Sequence, residues 1–204
     1  MIVFGLVVAT ILFAVLHSML ARLAIKARIR QALGERRYEG LYRLGYNFFA
    51  VLTLLPVVLV LMLWPGAAVW TVDGWVSWLL RGVQLIGLIG LTMSVLQIEG
   101  GRFLGTSQLA AYMRGEPLPL PDEPLTTSGV YGWVRHPLYF FSLLLLWFTP
   151  QMTTNWLVFV VLATIYFLVG SLLEERTMVE IFGEQYEAYR QRVPWMVPFI
   201  KVGN

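Results

Sequence analysis

Thr127-Ser128-Gly129-Val130-Tyr131-Gly132-Trp133-Val134-Arg135-His136-Pro137-Leu138-Tyr139 opens an apolar run, Pro137–Thr149. A second apolar run, Trp156–Leu173, follows and ends in Glu174-Glu175-Arg176, then Phe182-Gly183, Tyr186, Tyr189 and Val193-Pro194. Two consecutive apolar helices form a hairpin, so the polar groups at its two ends are expected on one side. Pro137 suits the first position of a helix. The amides just after it lack intrahelical acceptors and carry the positive end of the helix dipole. With Arg135 and His136 as further donors, this point reads as an anion site for a carboxylate or phosphate. Tyr139, in the first turn, offers an aromatic face or a hydroxyl. Glu174 and Glu175 are expected near His136. Successive helical residues point about 100° apart, so both cannot face one ligand equally. One would bind an ammonium or ribose hydroxyls while the other pairs with an arginine.

The chain has 204 residues, 58% of them apolar and 13% charged. A soluble domain carries about 25% charged residues, so the composition indicates an all-α integral membrane protein. Cysteine is absent, which excludes disulfides and thiolate metal sites. The two histidines, His17 and His136, are far apart and form no HxxH or HExxH pair, so no metal site is expected.

Working outward, about five spans are predicted: Ile2–Ala21, Gly45–Trp64 with a kink at Pro56, Val76–Leu96, Pro137–Thr149 and Trp156–Leu173. The first reads as a retained anchor, since no small-residue cleavage site follows it. Gly82, Gly87 and Gly90 in the third suggest close helix packing. The fourth is short: thirteen helical residues cover about 20 Å of a core about 30 Å thick. The fifth is expected to run on to Phe182, with Thr153-Thr154-Asn155 as its N-cap and Gly183 as its stop. A last helix is predicted over Glu184–Arg192. The chain reads as one membrane domain over 1–204: three spans in 1–96, a connection over 97–136, and the hairpin with a C-terminal region over 137–204. Within the connection, Phe103–Met113 is expected to be a short interfacial helix. Prolines 117, 119, 121 and 124 predict an extended loop.

Of the 15 Lys and Arg, only Arg81 falls on the side of the Trp-rich loop Pro65–Trp75; the other 14 lie opposite. Positive residues stay in the cytoplasm, so the amino terminus is expected outside and the Arg135-His136 end of the hairpin inside. Trp64, Trp70, Trp75 and Trp78 read as an interfacial belt. Arg22, Lys26 and Arg30 recur every four residues on one face. That face suits anionic headgroups or recruitment of an acidic substrate. His17, an ionisable residue in a span, is a functional candidate or a hydrogen-bonding partner of a neighbouring helix.

Taken singly, Arg-His-Pro reads as an interfacial cap and Glu-Glu-Arg as a juxtamembrane boundary. Together on one short hairpin, followed by FG-x-x-Y-x-x-Y-x-x-x-VP, they point to function. At Gly129-Val130-Tyr131, Val134–Tyr139, Glu174-Glu175-Arg176, Phe182-Gly183, Tyr186, Tyr189 and Val193-Pro194 the chain resembles the isoprenylcysteine carboxyl methyltransferase and phospholipid methyltransferase superfamily. The resemblance implies a multi-span helical fold that binds S-adenosyl-L-methionine. It implies cofactor contacts at Tyr131, His136, Pro137, Leu138, Tyr139, Glu174, Tyr186 and Tyr189, the last two closing the pocket. Glu174, Glu175 and Arg135 are the catalytic candidates.

His17-Ser18, Ala21-Arg22, the basic stretch and the segment with Gly105, Gln108 and Tyr112–Gly115 are similar to bacterial NnrU-like proteins and methanethiol S-methyltransferases. This implies a bacterial inner-membrane protein with His17, Arg22 and Gln108 as substrate candidates. That branch usually reads Leu-Phe-Gly-Leu-Arg-Gln where this chain has Phe103–Gln108 without the arginine. The expected partners are the lipid bilayer and a small or lipophilic methyl acceptor, with no nucleic acid. The reaction expected is in-line methyl transfer to a thiolate or carboxylate. A nicotinamide-dependent membrane reductase and a non-catalytic NnrU-like membrane protein are the alternatives.

Overall fold

The structure is a computed structural model and describes residues 1–200. It is helical apart from one two-stranded ribbon. Among the described residues, four helices are long and apolar enough to cross a membrane: α1 (Ile2–Ala21), α3 (Glu35–Leu63), α4 (Gly74–Gln97) and α8 (Thr154–Phe182). A shorter apolar helix, α7 (Pro137–Trp147), accompanies them. Large apolar side chains on the spans point outward; Phe48 and Val51 are 70% and 69% exposed. Such surface is stable in hydrocarbon, where helices satisfy their own backbone groups. The chain is therefore an all-α membrane protein.

The chain divides into two compact units. The first comprises 1–65 and 99–123. Here the basic segment forms α2 (Leu23–Leu33) and the opening turns of α3. The second span is thus part of a 29-residue helix, because Glu35–Tyr42 contains no proline and its one glycine, Gly40, is tolerated within the helix. Arg30 ties α2 to α3, bonding Glu39 at 2.5 Å and lying 4.6 Å over the Tyr38 ring.

The expected helix Phe103–Met113 is instead two helices, α5 (Gly100–Leu104) and α6 (Thr106–Met113). Gly105 breaks them with φ +89°, and a Cβ there would meet the backbone of Leu44 in α3. A left-handed residue pressed against another backbone has to be glycine. Arg102 bonds Glu99 at 2.7 Å, Glu123 at 3.2 Å and the Pro121 carbonyl, fastening the proline-rich loop to α5.

The second unit comprises 66–98 and 124 onward. Its α7 has eleven residues and ends at Trp147, two residues earlier than the sequence suggests. Its spine is the pairing of α7 with α4. Gly87 and Gly90 of α4 let α7 approach: a Cβ at Gly87 would sit 3.0 Å from the Phe141 carbonyl, and one at Gly90 would enter the Phe141 ring. Gly82, by contrast, faces open space and takes no part. The Trp-rich loop holds a strand the sequence did not suggest. It is β1 (Ala68–Thr71), antiparallel to β2 (Gln151–Thr153). Thr153 accepts from the Trp156 amide at 3.4 Å and caps α8. α8 continues to Phe182, and α9 (Glu184–Arg192) follows Gly183.

Gly90→Ala should overpack the α4–α7 contact and cost about 1–3 kcal/mol. Gly82→Ala should leave stability unchanged or slightly raised. Thermal unfolding of the two variants in detergent checks the contrast.

Candidate functional site

His136 caps α7 and is buried, 6% exposed; Pro137 behind it is fully buried. Pro137 fixes the first helical φ, and the amides of Leu138 and Tyr139 follow it in the first turn. The Arg135-His136 end of α7 meets the end of α8, where Glu174 and Glu175 lie, as a hairpin requires.

The two acids have different surroundings. Glu175, with 9% of its side chain exposed, receives Arg135 Nε at 2.6 Å and His136 Nε2 at 3.3 Å on one oxygen. Arg190 Nε of α9 lies 3.5 Å from its other oxygen. Glu174, 44% exposed, accepts from the Tyr139 hydroxyl at 3.1 Å and lies 3.5 Å from His136 Nδ1. His136 thus bridges the two carboxylates. Burial disfavours its charge, but the hydrogen bonds and charges of Glu174 and Glu175 outweigh that, and its pKa is raised above the ordinary histidine value.

Arg135 turns away from the α7 terminus. Its Nη1 donates to the carbonyls of Arg190 (3.0 Å) and Val193 (2.9 Å), and its amide donates to the Pro194 carbonyl at 2.9 Å. It gathers the C-terminal segment. Tyr139 lies between His136 and Phe167, with ring centroids at 5.6 and 5.0 Å and interplanar angles of 8° and 13°. Stacked rings on both faces leave its edge and hydroxyl to do chemistry, and the hydroxyl is on Glu174.

Tyr186 and Tyr189 are buried against Leu125, Met178, Val179 and Phe182, where they hold α9 on α8. The Tyr189 hydroxyl donates to the Tyr131 carbonyl at 2.6 Å, and the Tyr131 hydroxyl to the Ser94 carbonyl at 3.3 Å. Burial, with the charge of Glu174, pushes the Tyr131 phenol up to about 12. Burial raises Tyr186 and Tyr189 as well. All three remain neutral at physiological pH.

Four contributors escaped the sequence reading. Arg190 follows Tyr186 by one helical turn, and Phe167 precedes Glu174 by two turns on the same face, so helical spacing carried a signal for both. Ser94 and Gln97, polar residues ending an apolar span, were the signal on α4. Gln97 accepts from the Val130 amide at 3.0 Å and occupies the space a Cβ at Gly129 would need.

The substrate candidates belong to the other unit. His17 Nε2 and the Tyr46 hydroxyl are 2.6 Å apart, joining α1 to α3. Arg22 is exposed at the α1–α2 junction. Gln108 lines a cavity of about 180 Å³ together with Lys26, Tyr38, Tyr42, Arg43 and Tyr46.

Residues 5–144 match the family model described as NnrU protein, and residues 115–185 match Phospholipid methyltransferase. The chain is 35% identical to Methanethiol S-methyltransferase of Crocosphaera subtropica, over 93% of this chain and 72% of that relative. It is 33% identical to Methanethiol S-methyltransferase 2 of Bradyrhizobium diazoefficiens, over 92% and 70%. Protein-S-isoprenylcysteine O-methyltransferase of Mus musculus is 40% identical over 38% of this chain and 28% of its own length. No solved structure matches significantly. These relatives support a membrane methyltransferase.

Removing the Glu175 charge strands Arg135 and His136, so Glu175→Gln should cost about 3–5 kcal/mol. The half-exposed Glu174→Gln should cost far less. Because the folded pKa of His136 is raised, its stabilisation is fully present below the unfolded value of about 6.5 and is lost as pH rises through the folded value. Melting temperature measured from pH 5 to 9 should therefore fall more steeply for the wild type than for His136→Gln.

Proposed function

The chain belongs to the NnrU family, with the methanethiol S-methyltransferases it matches, and from that premise we propose that it transfers a methyl group from S-adenosyl-L-methionine to a small thiol or another membrane-soluble acceptor. The observation that carries the reading is the half-exposed Glu174 carboxylate, held by Tyr139 and His136 beside the first turn of α7. A carboxylate next to a positive helix end fits the ammonium and carboxylate of an amino-acid moiety, so the donor set suits this cofactor. When bound, S-adenosyl-L-methionine supplies an electrophilic methyl on a sulfonium.

The chain's own residues position and exclude water. Glu174 would hold the ammonium. The amides of Leu138 and Tyr139, beside the His136 ring, would face the carboxylate. Tyr139 fixes the Glu174 rotamer through its hydroxyl and is itself clamped by Phe167 and His136. Glu175 and Arg135 act as positioning residues, because each is occupied by protein partners. Tyr131, Tyr186 and Tyr189 brace α9 over the site as neutral donors and apolar surface. Transfer from a cation to a thiolate or carboxylate cancels charge, and a low-dielectric setting favours that change. A thiol acceptor must first lose its proton to a neighbouring base. Methanethiol-like thiols and isoprenylcysteine-like carboxylates both fit a lateral, membrane-soluble approach. His17 and Arg22 are carried as acceptor-side candidates in the N-terminal unit. The one-sided distribution of Lys and Arg supports an amino terminus outside and this site facing the cytoplasm, and the bacterial relatives support an inner-membrane setting.

Calorimetry of the purified full chain with S-adenosylhomocysteine tests the reading. Micromolar or tighter binding is expected, weakened about tenfold by Glu174→Gln, the loss of one charge-assisted contact of about 1.4 kcal/mol. Binding of NADPH instead would overturn it in favour of a reductase, and binding of neither to folded protein would leave a non-catalytic family member.

A further inference from the structure

The N-terminal unit contains a cavity that methyl transfer does not explain. It lies among the end of α1, α2, α3 and α6, and has a volume of about 180 Å³. A single water needs only about 10–15 Å³ on the same measure, so this is room for a small ligand.

Its walls carry a consistent chemistry. Lys26 and Arg43 both line it, and among the described residues neither forms an ion pair. Arg43 is held in place: Nε donates to the Phe103 carbonyl at 2.9 Å, and the guanidinium lies 5.2 Å from the Phe103 ring centroid and 5.9 Å from that of Tyr46. The one acid in the lining, Glu39, is already neutralised by Arg30 at 2.5 Å. Two like charges sharing one cavity repel, and burial together with Arg43 lowers the Lys26 pKa. An anion between them would relieve both costs. A second observation points to a ligand. Gln108 Nε2 donates to the Arg102 carbonyl at 3.2 Å, while its buried Oε1 has no partner. That oxygen accepts and cannot donate, so it calls for a donor on whatever fills the cavity.

We propose that this cavity binds a phosphate ester bearing a free hydroxyl, the phosphate oxygens between Lys26 and Arg43 and the hydroxyl donating to Gln108. In this proposal Gln108, a methyl-acceptor candidate in the sequence, contacts this ligand. The chemistry is shared by an anionic glycerophospholipid headgroup and a soluble glycerol phosphate. An apolar groove of about 250 Å³ has Tyr42 and Tyr46 as walls in common with the cavity and is otherwise lined by Leu20, Leu33, Leu41, Gly45 and Phe49. Acyl chain fits there, which favours the lipid source. Binding here is independent of methyl transfer and is read without it.

The test uses the purified full chain. Native mass spectrometry from nanodiscs mixing phosphatidylglycerol with phosphatidylcholine should show selective retention of phosphatidylglycerol. Lys26→Gln should lower that retention at least fivefold. Lys26→Arg should keep it, and Arg28→Gln, on the same helix but outside the cavity, should change it less than twofold. In a second arm, calorimetry measures sn-glycerol 3-phosphate binding in detergent. Binding there without lipid retention supports the site with a soluble source. Equal effects of Lys26→Gln and Arg28→Gln on the lipid would reduce the lipid result to surface attraction. The proposal is overturned if that result, or the absence of lipid selectivity, is accompanied by no glycerol phosphate binding. Because wild-type selectivity and the charge-preserving Lys26→Arg are both read, a misfolded Lys26→Gln does not remove the test.

Discussion

One buried carboxylate organises the C-terminal unit. Glu175 near the end of α8 takes Arg135 and His136 from the start of α7 and Arg190 from α9. Removing a carboxylate from water costs several kcal/mol, and only well-placed partners offset that. Three cationic or cation-capable groups converge on it, so their geometry is set jointly. Arg135 extends the constraint by donating to four carbonyls, those of Arg190, Val193, Pro194 and Trp195. The polar ends of the hairpin and the last helix are therefore one structure. The apolar spans around it contribute length and lipid compatibility, and α4 adds its close packing against α7.

That arrangement leaves Glu174 open. Adjacent residues on a helix diverge by about 100°, and here the divergence separates a structural acid from an available one. Tyr139 and His136 hold the available acid without neutralising it with an arginine. The aromatic stack His136–Tyr139–Phe167 packs behind it, and packed support is what a positioned carboxylate needs. The same column shows why Tyr139 acts through its hydroxyl: both of its faces are covered.

The N-terminal unit follows a different logic. Its cations are spread over α2 and the opening of α3; Arg30 pairs with Glu35 and Glu39 in partly exposed bridges of the kind that contribute little. Lys26 and Arg43 differ because they face a cavity with no acid free to meet them. Gly105 and Gly40 bring α5 and α6 close against α3, which closes one side of that cavity. A basic face at a membrane surface thereby becomes a place with shape as well as charge.

Composition and run length alone determined that this is a helical membrane protein, because hydrocarbon admits few other backbones. Local rules also placed α9, the Gly183 stop and the Thr153 cap, since caps and breakers act over three or four residues. The motif residues were legible as a set, because two polar clusters on one hairpin must meet. Their division of labour was not legible. Whether Glu174 or Glu175 is buried depends on Arg190 arriving from α9, and the role of Arg135 depends on carbonyls about 55 to 60 residues away. The ribbon between β1 and β2 needed two distant loops, and the break at Gly105 needed the backbone of α3. Each is a long-range contact between short, unremarkable segments. Sequence periodicity records the face a residue occupies, and only tertiary packing decides what that face touches.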